Sequence, residues 1–163
     1  MSYRKDNLPD YITRLKTVVE KDLEIMTKEI ENDIDSDKYF NVLKGRRMAA
    51  NDAVDILKKI DLLQKEVDGL DIDSLGSYYR DTIPVLIGSL KDMYSLNFEV
   101  LNLKNDFISE EKLHNLIRSR KEASTDCEWI LTKIDELEAE LNTKEKDKTV
   151  KSWALQGLAE EEN

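Results

Sequence analysis

Side chains with the chemistry of an active site are few in this sequence. Its 163 residues include one histidine and one cysteine. His114 has no cysteine or carboxylate four residues later to complete a metal-binding pair, and Cys127 lies at a core-facing position. Glu111 and His114 have the Glu-x-x-His spacing of di-iron bundles, but such a site needs this motif twice and the sequence has one histidine. We therefore expect no enzyme activity, no metal, no cofactor and no small-molecule substrate.

Two basic clusters are the strongest candidates for binding an anion or an acidic partner. Arg46 and Arg120 each fall near the middle of an apolar helical stripe, and a charge facing the core needs a partner. We expect internal pairing, with Asp22 within reach of Arg46 and the less suitable Asn97 opposite Arg120. The alternative is a nucleic-acid-handling small subunit that grips phosphates through these clusters. The candidate contacts are Lys44, Arg46, Arg47, Arg118, Arg120 and Lys121.

The C-terminal segment differs in kind from the rest of the chain. A polar spacer, residues 142–149, precedes a short stretch in which Trp153, Leu155 and Leu158 stand among polar neighbours. Such apolar anchors on a polar segment are typical of a helix that docks in a groove. We predict that residues 146–163 form a docking tail, either on a neighbouring chain or folded back on this one.

The sequence that carries the basic clusters contains an internal repeat. Residues 35–68 align with 109–142 at an offset of 74, with twelve identities in 34 pairs, including the arginines of both basic clusters at Arg46 and Arg120. A weaker match at an offset of 75 relates residues 6–31 to 81–106. Each unit has the length of one helical hairpin, and two units favour a bundle over a long solenoid.

The predicted fold is therefore all-α, with two tandem duplicated helical hairpins in one four-helix bundle about an approximate two-fold axis, plus a short C-terminal helical tail. The domain covers residues 1–145, with repeat 1 at 6–68, a linker at 69–80 and repeat 2 at 81–142. Proline suits the first helical position.

The helix ends follow from the preference of proline for the first helical position and from the capping residues. Helices one and three should begin at Pro9 and Pro84. Helix two should run from Asp37 to Val67 and end at Gly69, and Ser109 should cap helix four.

Composition limits the partners and the location. The 25 basic and 35 acidic residues give a net charge of −10, which argues against a general DNA binder or an anionic-membrane binder. The sequence shows no signal peptide and no membrane-spanning run, so we expect a cytoplasmic protein. Its lysine-rich composition is typical of phage or low-GC bacterial genomes, and a phage protein would lie in the host cytoplasm or the virion. We predict a non-catalytic interaction or assembly protein that binds a protein partner or itself.

Overall fold

Four α-helices form the described part of the chain. This computed structural model describes residues 2–29, 36–71, 74–103 and 109–161, without side-chain detail for 36–38 and 144–161. Helix α1 packs along α2, and α3 packs along α4. The predicted all-α fold of two hairpins in one bundle is confirmed. The helices are α1 (Tyr3–Met26), α2 (Ser36–Asp68), α3 (Ser77–Leu101) and α4 (Glu110–Glu161).

Equivalent contacts close both hairpins, as the repeated sequence requires. In the first hairpin, the Arg4 guanidinium lies 2.8 Å from the carboxylate of Glu66. In the second, the Tyr79 hydroxyl donates a hydrogen bond of 3.1 Å to Glu140. Tyr79 lies 75 residues after Arg4, and Glu140 lies 74 residues after Glu66. The two offsets found in the sequence therefore relate the same place in each hairpin.

The predicted starts of helices one and three are wrong. Pro9 and Pro84 lie inside α1 and α3, which begin at Tyr3 and Ser77. A proline inside a helix removes one backbone hydrogen bond and is normally unfavourable. Here the turn before each proline buries side chains, Leu8 in α1 and Tyr79 with Ile83 in α3, and this burial outweighs the loss. The linker predicted at 69–80 accordingly shortens to 69–76.

Capping explains why the other helix ends agree with the sequence. Helix α2 begins and ends within one residue of the prediction, and Gly69 follows it with a positive φ of 65°. The N–H of Leu70 donates to the Lys65 carbonyl at 3.0 Å, the bond of a Schellman motif. Ser109 accepts a hydrogen bond of 3.3 Å from the N–H of Lys112, which confirms it as the cap of α4.

Helix α4 is much longer than its neighbours. It has 52 residues, whereas α2 has 33 and α3 has 25. At 1.5 Å per residue, α4 measures about 78 Å and α2 about 50 Å. The segment predicted as a polar spacer, residues 142–149, is helical and continuous with the rest of α4.

Helix α3 lies at the centre of the bundle. The largest apolar cluster takes residues from all four helices, and α3 contributes more of them than any other helix. This position accounts for the apolar character of α3 around much of its circumference. The α3 members are Tyr79, Ile83, Leu86, Ile87, Leu90 and Met93.

The two hairpins stack on each other and are not related by a two-fold axis. Helix α2 contacts both α3 and α4, and α1 contacts α3. A two-fold axis that exchanges the hairpins would also bring α1 against α4. Over the described ranges, α1 and α4 do not meet. The expected approximate two-fold axis is therefore wrong. Each hairpin has one face that does not take part in the contact between the hairpins.

Candidate interaction surface

Arg46 belongs to the interior of the protein. Its side chain is 1% exposed, and its guanidinium donates to the carbonyl of Lys28, two residues after the end of α1, with Nε at 3.0 Å. It also donates to Oδ1 of Asn97 on α3 at 3.4 Å. Burial lowers the pKa of this guanidinium. Internal pairing was predicted, but with Asp22, and that partner is wrong.

Arg47 joins the two repeats through an ion pair. Its Nη1 lies 2.9 Å from Oδ1 of Asp126 on α4, whose side chain is 1% exposed. The guanidinium also stacks 4.0 Å from the centre of the Trp129 ring. Burial and the nearby Glu122 raise the pKa of Asp126 to about 6, against the opposing effect of Arg47. Arg46 and Arg47 are therefore engaged inside the molecule and offer no free guanidinium to a phosphate.

The remaining basic residues lie nearer the surface. Arg118 stacks 4.0 Å from the centre of the Phe40 ring, and the ammonium of Lys44 lies 6.0 Å from the same ring. The structure thus brings one residue of each cluster to a single aromatic side chain. Arg120 is half-buried, and its Nε has no hydrogen-bond partner in the described part of the chain. Lys121 is exposed.

An open groove of about 640 Å³ runs along the first hairpin, between α1 and α2. Asp22 is 8% exposed, and its Oδ2 accepts no hydrogen bond from the described residues. Two apolar side chains at the groove are exposed, Ile25 at 43% and Met48 at 65%. The groove therefore combines a buried acidic group with accessible apolar surface. Its lining is Asp22, Ile25, Gly45, Met48, Ala49, Asn51, Asp52 and Asp55.

The carboxyl group of Asp22 has an unusual affinity for its proton. Burial raises its pKa, and the neighbouring carboxyl of Asp52 adds to the increase by a hydrogen bond and by charge repulsion, so that the pKa reaches about 7. The two acids come from different helices, α1 and α2. A cation brought into the groove would relieve both the repulsion and the missing hydrogen bond.

His114 and Cys127 lie thirteen residues apart on α4, about 20 Å, so they do not share a site. His114 is exposed, and Cys127 is buried, where burial and the nearby Asp126 raise the pKa of its thiol. No group of three or more potential metal ligands occurs where side chains are described, in residues 2–29, 39–71, 74–103 and 109–143. Within the same ranges, no helix is long and apolar enough to cross a membrane.

The predicted tail anchors lie where the structure gives backbone information alone. Residues 146–161 belong to α4, but the side chains of Trp153, Leu155 and Leu158 are outside the described residues. Closer to the bundle, α4 exposes two large apolar side chains, Ile117 at 54% and Leu131 at 49%. Sequence reasoning identified the basic residues but missed Asp126 and Asp52. The signal in the sequence was that Asp52 and Asp126 are the same residue at equivalent positions of the two repeats, although their surroundings differ.

The comparisons with known proteins add no family. No family model, curated protein or solved structure matches this chain. Inferences about function therefore depend on the geometry of the bundle, its groove and α4.

Proposed function

We propose that this protein is a non-catalytic interaction component of a larger assembly, with α4 as the element that binds a partner. The observation that carries the proposal is the length of α4, 52 residues against 25 in the α3 helix with which it pairs. A helix of about 78 Å exceeds its longest neighbour by about 28 Å. The excess falls on the C-terminal segment with Trp153, Leu155 and Leu158.

The chemistry of that segment favours a protein partner. Its three apolar anchors stand among polar residues, as in helices that lie in an apolar groove. The setting we propose is the structural or assembly machinery of a phage, in the host cytoplasm or the virion, and the lysine-rich composition is its support.

Replacement of the three tail anchors by alanine tests this proposal. The variant Trp153→Ala/Leu155→Ala/Leu158→Ala is compared with Thr149→Ala/Ser152→Ala/Gln156→Ala, which removes as many polar side chains from the same segment. Both are purified from the native host under identical conditions, and bound proteins are quantified by mass spectrometry. We expect the first variant to lose a partner that the wild type and the polar variant retain. Equal recovery from all three would refute the tail as the binding element.

The nucleic-acid alternative has a smaller basis in this structure. Lys44, Arg118 and Lys121 remain exposed, whereas Arg46 and Arg47 are engaged internally. Phosphate contacts would make binding strongly dependent on salt. Fluorescence anisotropy with single- and double-stranded DNA and RNA at about 50 mM salt checks this alternative. Binding that disappears in Lys44→Ala/Arg118→Ala/Lys121→Ala would favour it over the protein partner, and absence of binding would end it.

A further inference from the structure

The contact between the two hairpins joins two apolar helix faces. Each face has an equivalent in the other hairpin that is left uncovered in the described structure. On α2, the apolar stripe Leu43, Ala50 and Leu57 is 1% exposed or less. It packs into the clusters that contain Leu86, Met93 and Val100 of α3. The members of each stripe are seven residues apart, so each lies along one side of its helix. The first hairpin thus contributes a face of α2, which we call the donating face. The second hairpin contributes a face of α3, which we call the receiving face.

Each of these faces occurs a second time, without a partner in the chain. At the α2-equivalent positions, α4 carries Ile117, Ser124 and Leu131, all of them exposed, with Ile117 at 54% and Leu131 at 49%. We call these three residues the α4 stripe. The second hairpin has therefore kept two of the three apolar side chains with which the first hairpin packs, Ile117 and Leu131, although nothing in the described structure covers them.

The receiving face is also repeated, on the first hairpin. The α3 positions 86, 93 and 100 correspond to Tyr11, Val18 and Ile25 of α1. Tyr11 and Ile25 are each 43% exposed, and Val18 is half-buried. An apolar face is therefore open at each end of the stack, of the donating kind on α4 and of the receiving kind on α1.

The open groove is the receiving site of the first hairpin. In the second hairpin, the positions equivalent to its lining include Asn97, Val100, Ser119, Ala123 and Asp126, each of them 2% exposed or less. Helix α2 covers that surface with Leu43, which clusters with Val100 and Ala123. The groove is thus the same surface without its covering helix.

The polar contacts of the intact interface also have unpaired counterparts. Arg46 donates to Asn97 inside the chain, and the equivalent residues are Arg120 and Asp22. Both equivalents hold a buried polar atom without a hydrogen-bond partner among the described residues, Nε of Arg120 and Oδ2 of Asp22.

The second polar contact shows the same relation. The ion pair of Arg47 with Asp126 corresponds to Lys121 and Asp52. Lys121 and Asp52 are both exposed, and they carry opposite charges. The donating face is therefore basic and the receiving groove acidic, although the protein as a whole carries a charge of −10.

We propose that this protein associates head to tail, with the α4 stripe of one copy seated in the α1–α2 groove of the next copy. Arg120 then pairs with Asp22, and Lys121 pairs with Asp52, as Arg46 and Arg47 pair with Asn97 and Asp126 within one chain. Such a contact joins two different surfaces, so it extends into a filament or closes as a ring. The inference deepens the proposed role in assembly, and none of its contacts involves the C-terminal tail.

The first experiment measures self-association of the full chain by sedimentation velocity over a wide range of protein concentration. The wild type is compared with a donor variant, Ile117→Glu/Lys121→Glu, and a groove variant, Gly45→Leu/Asp52→Lys. A Cβ added at Gly45 meets nothing within 4 Å, so the groove variant fills space without a clash. We expect each variant to weaken association at least about tenfold. Circular dichroism is used to check that both variants are folded.

A matched control separates this contact from a general loss of exposed apolar surface. Leu62 is 57% exposed, and its equivalent in the other repeat, Glu136, is also exposed. Position 62 therefore lies outside both the donating and the receiving face. Leu62→Glu should leave association unchanged, and a loss equal to that of the donor variant would overturn the proposal.

Mixing tests the head-to-tail arrangement directly. The donor variant retains an intact groove, and the groove variant retains an intact α4 stripe. At a concentration where each variant alone is monomeric, an equal mixture should form a dimer through the one intact pair of surfaces. The charge exchange Asp52→Lys/Lys121→Glu in a single chain should recover association that either single substitution loses. Failure of both the mixture and the exchange would overturn the proposal.

Removal of the tail distinguishes this inference from the function proposed above. A chain ending at Thr143 should still associate with itself, because the α4 stripe and the groove are intact. Association lost in that chain, and retained in the donor variant, would assign the contact to the tail and refute the α4 stripe as the occupant. A monomeric wild type at all concentrations would refute self-association, while the partner experiment with the tail variants would remain decisive for the proposed function.

Discussion

At the scale of single residues, two glycines inside helices and one at a helix N-cap differ in their tolerance for a side chain. A Cβ added at Gly45 in α2 or Gly88 in α3 meets no atom within 4 Å, whereas one at Gly76 lies 2.5 Å from Oδ1 of Asp61. That oxygen accepts the N–H of Gly76 at 2.9 Å, and the other Asp61 oxygen lies 2.6 Å from the buried ammonium of Lys65. The linker is thus fastened to α2 at a point where no side chain fits.

This contrast gives a prediction for alanine at each glycine. Gly45→Ala and Gly88→Ala should each raise the free energy of unfolding by roughly 0.5–1 kcal/mol, because alanine restricts the unfolded chain and favours helix. Gly76→Ala should lower it by about 1–3 kcal/mol, because Asp61 must move away from its partners. Urea unfolding measures all three. Stabilisation by Gly76→Ala would show that the Asp61 contact is not needed.

The protonation of Asp22 makes stability depend on pH. Its pKa is about 7 in the folded chain because of burial and of the adjacent Asp52, whereas an exposed aspartate in the unfolded chain titrates near 3.8. The folded state therefore holds a proton that the unfolded state has lost. This contribution is complete below the unfolded pKa and disappears as the pH rises through the folded pKa. Asp126, with a pKa of about 6, acts in the same direction.

We therefore expect the wild type to be less stable at pH 8 than at pH 5 by on the order of 1–3 kcal/mol, since each pH unit between the two pKa values changes stability by about 1.4 kcal/mol. Asp22→Asn should remove much of this difference, because asparagine needs no proton. Asn97 shows that an amide fits the equivalent position. Asp55→Asn, at an exposed residue of the same groove, is the control. Urea unfolding at both pH values gives the comparison, and an unchanged difference in Asp22→Asn would contradict it.

At the scale of secondary structure elements, the two internal prolines mark a conflict between local and tertiary preferences. Pro84 is exposed and lies in α3, where it cannot donate the backbone hydrogen bond of a helix interior. Pro84→Ala should raise the free energy of unfolding by about 1–3 kcal/mol by restoring that bond. Pro9→Ala should act in the same direction in α1. Chemical unfolding of both variants measures the effect, and destabilisation by both would mean that the prolines are needed where they are.

The prolines also show what the sequence could and could not predict. The rule that proline favours a helix start is local, and the burial of Leu8 and Tyr79 on the preceding turns overrode it. Helix α2 was predicted to within one residue because its ends depend on local signals, above all Gly69. Elements whose ends are determined by neighbouring residues were therefore predictable, and those determined by packing were not.

The candidate site shows the same division. The repeat identified Arg46 and Arg120 as equivalent residues, and burial of one arginine with an internal partner followed from the cost of an unpaired charge. Of its two partners, the Lys28 carbonyl and Asn97, the second did not follow because it belongs to the other repeat. Which helix of one repeat lies opposite the other depends on how the hairpins stack, and their identical patterns are compatible with more than one arrangement.

At the scale of the whole molecule, the largest apolar cluster spans both hairpins, so the stack should unfold as a unit. The largest apolar cluster includes Met26 of α1 and residues of the other three helices, and Arg47 of α2 bridges to α4 through Asp126. Neither hairpin can expose this cluster without a large loss of buried apolar surface. Removal of either hairpin therefore should leave the other without a stable fold.

The sequence provides a reporter for this cooperativity, because it contains two tryptophans and Trp129 lies under the guanidinium of Arg47 at the contact between the repeats. In a Trp153→Phe chain, Trp129 fluorescence follows the contact between hairpins, while far-ultraviolet circular dichroism follows the helices. We expect the two urea transitions to coincide at a protein concentration where the chain is monomeric. A fluorescence change that precedes the loss of helix would mean that the hairpins separate before they unfold. The interface inside the chain would then be too weak to serve as the pattern for a contact between copies.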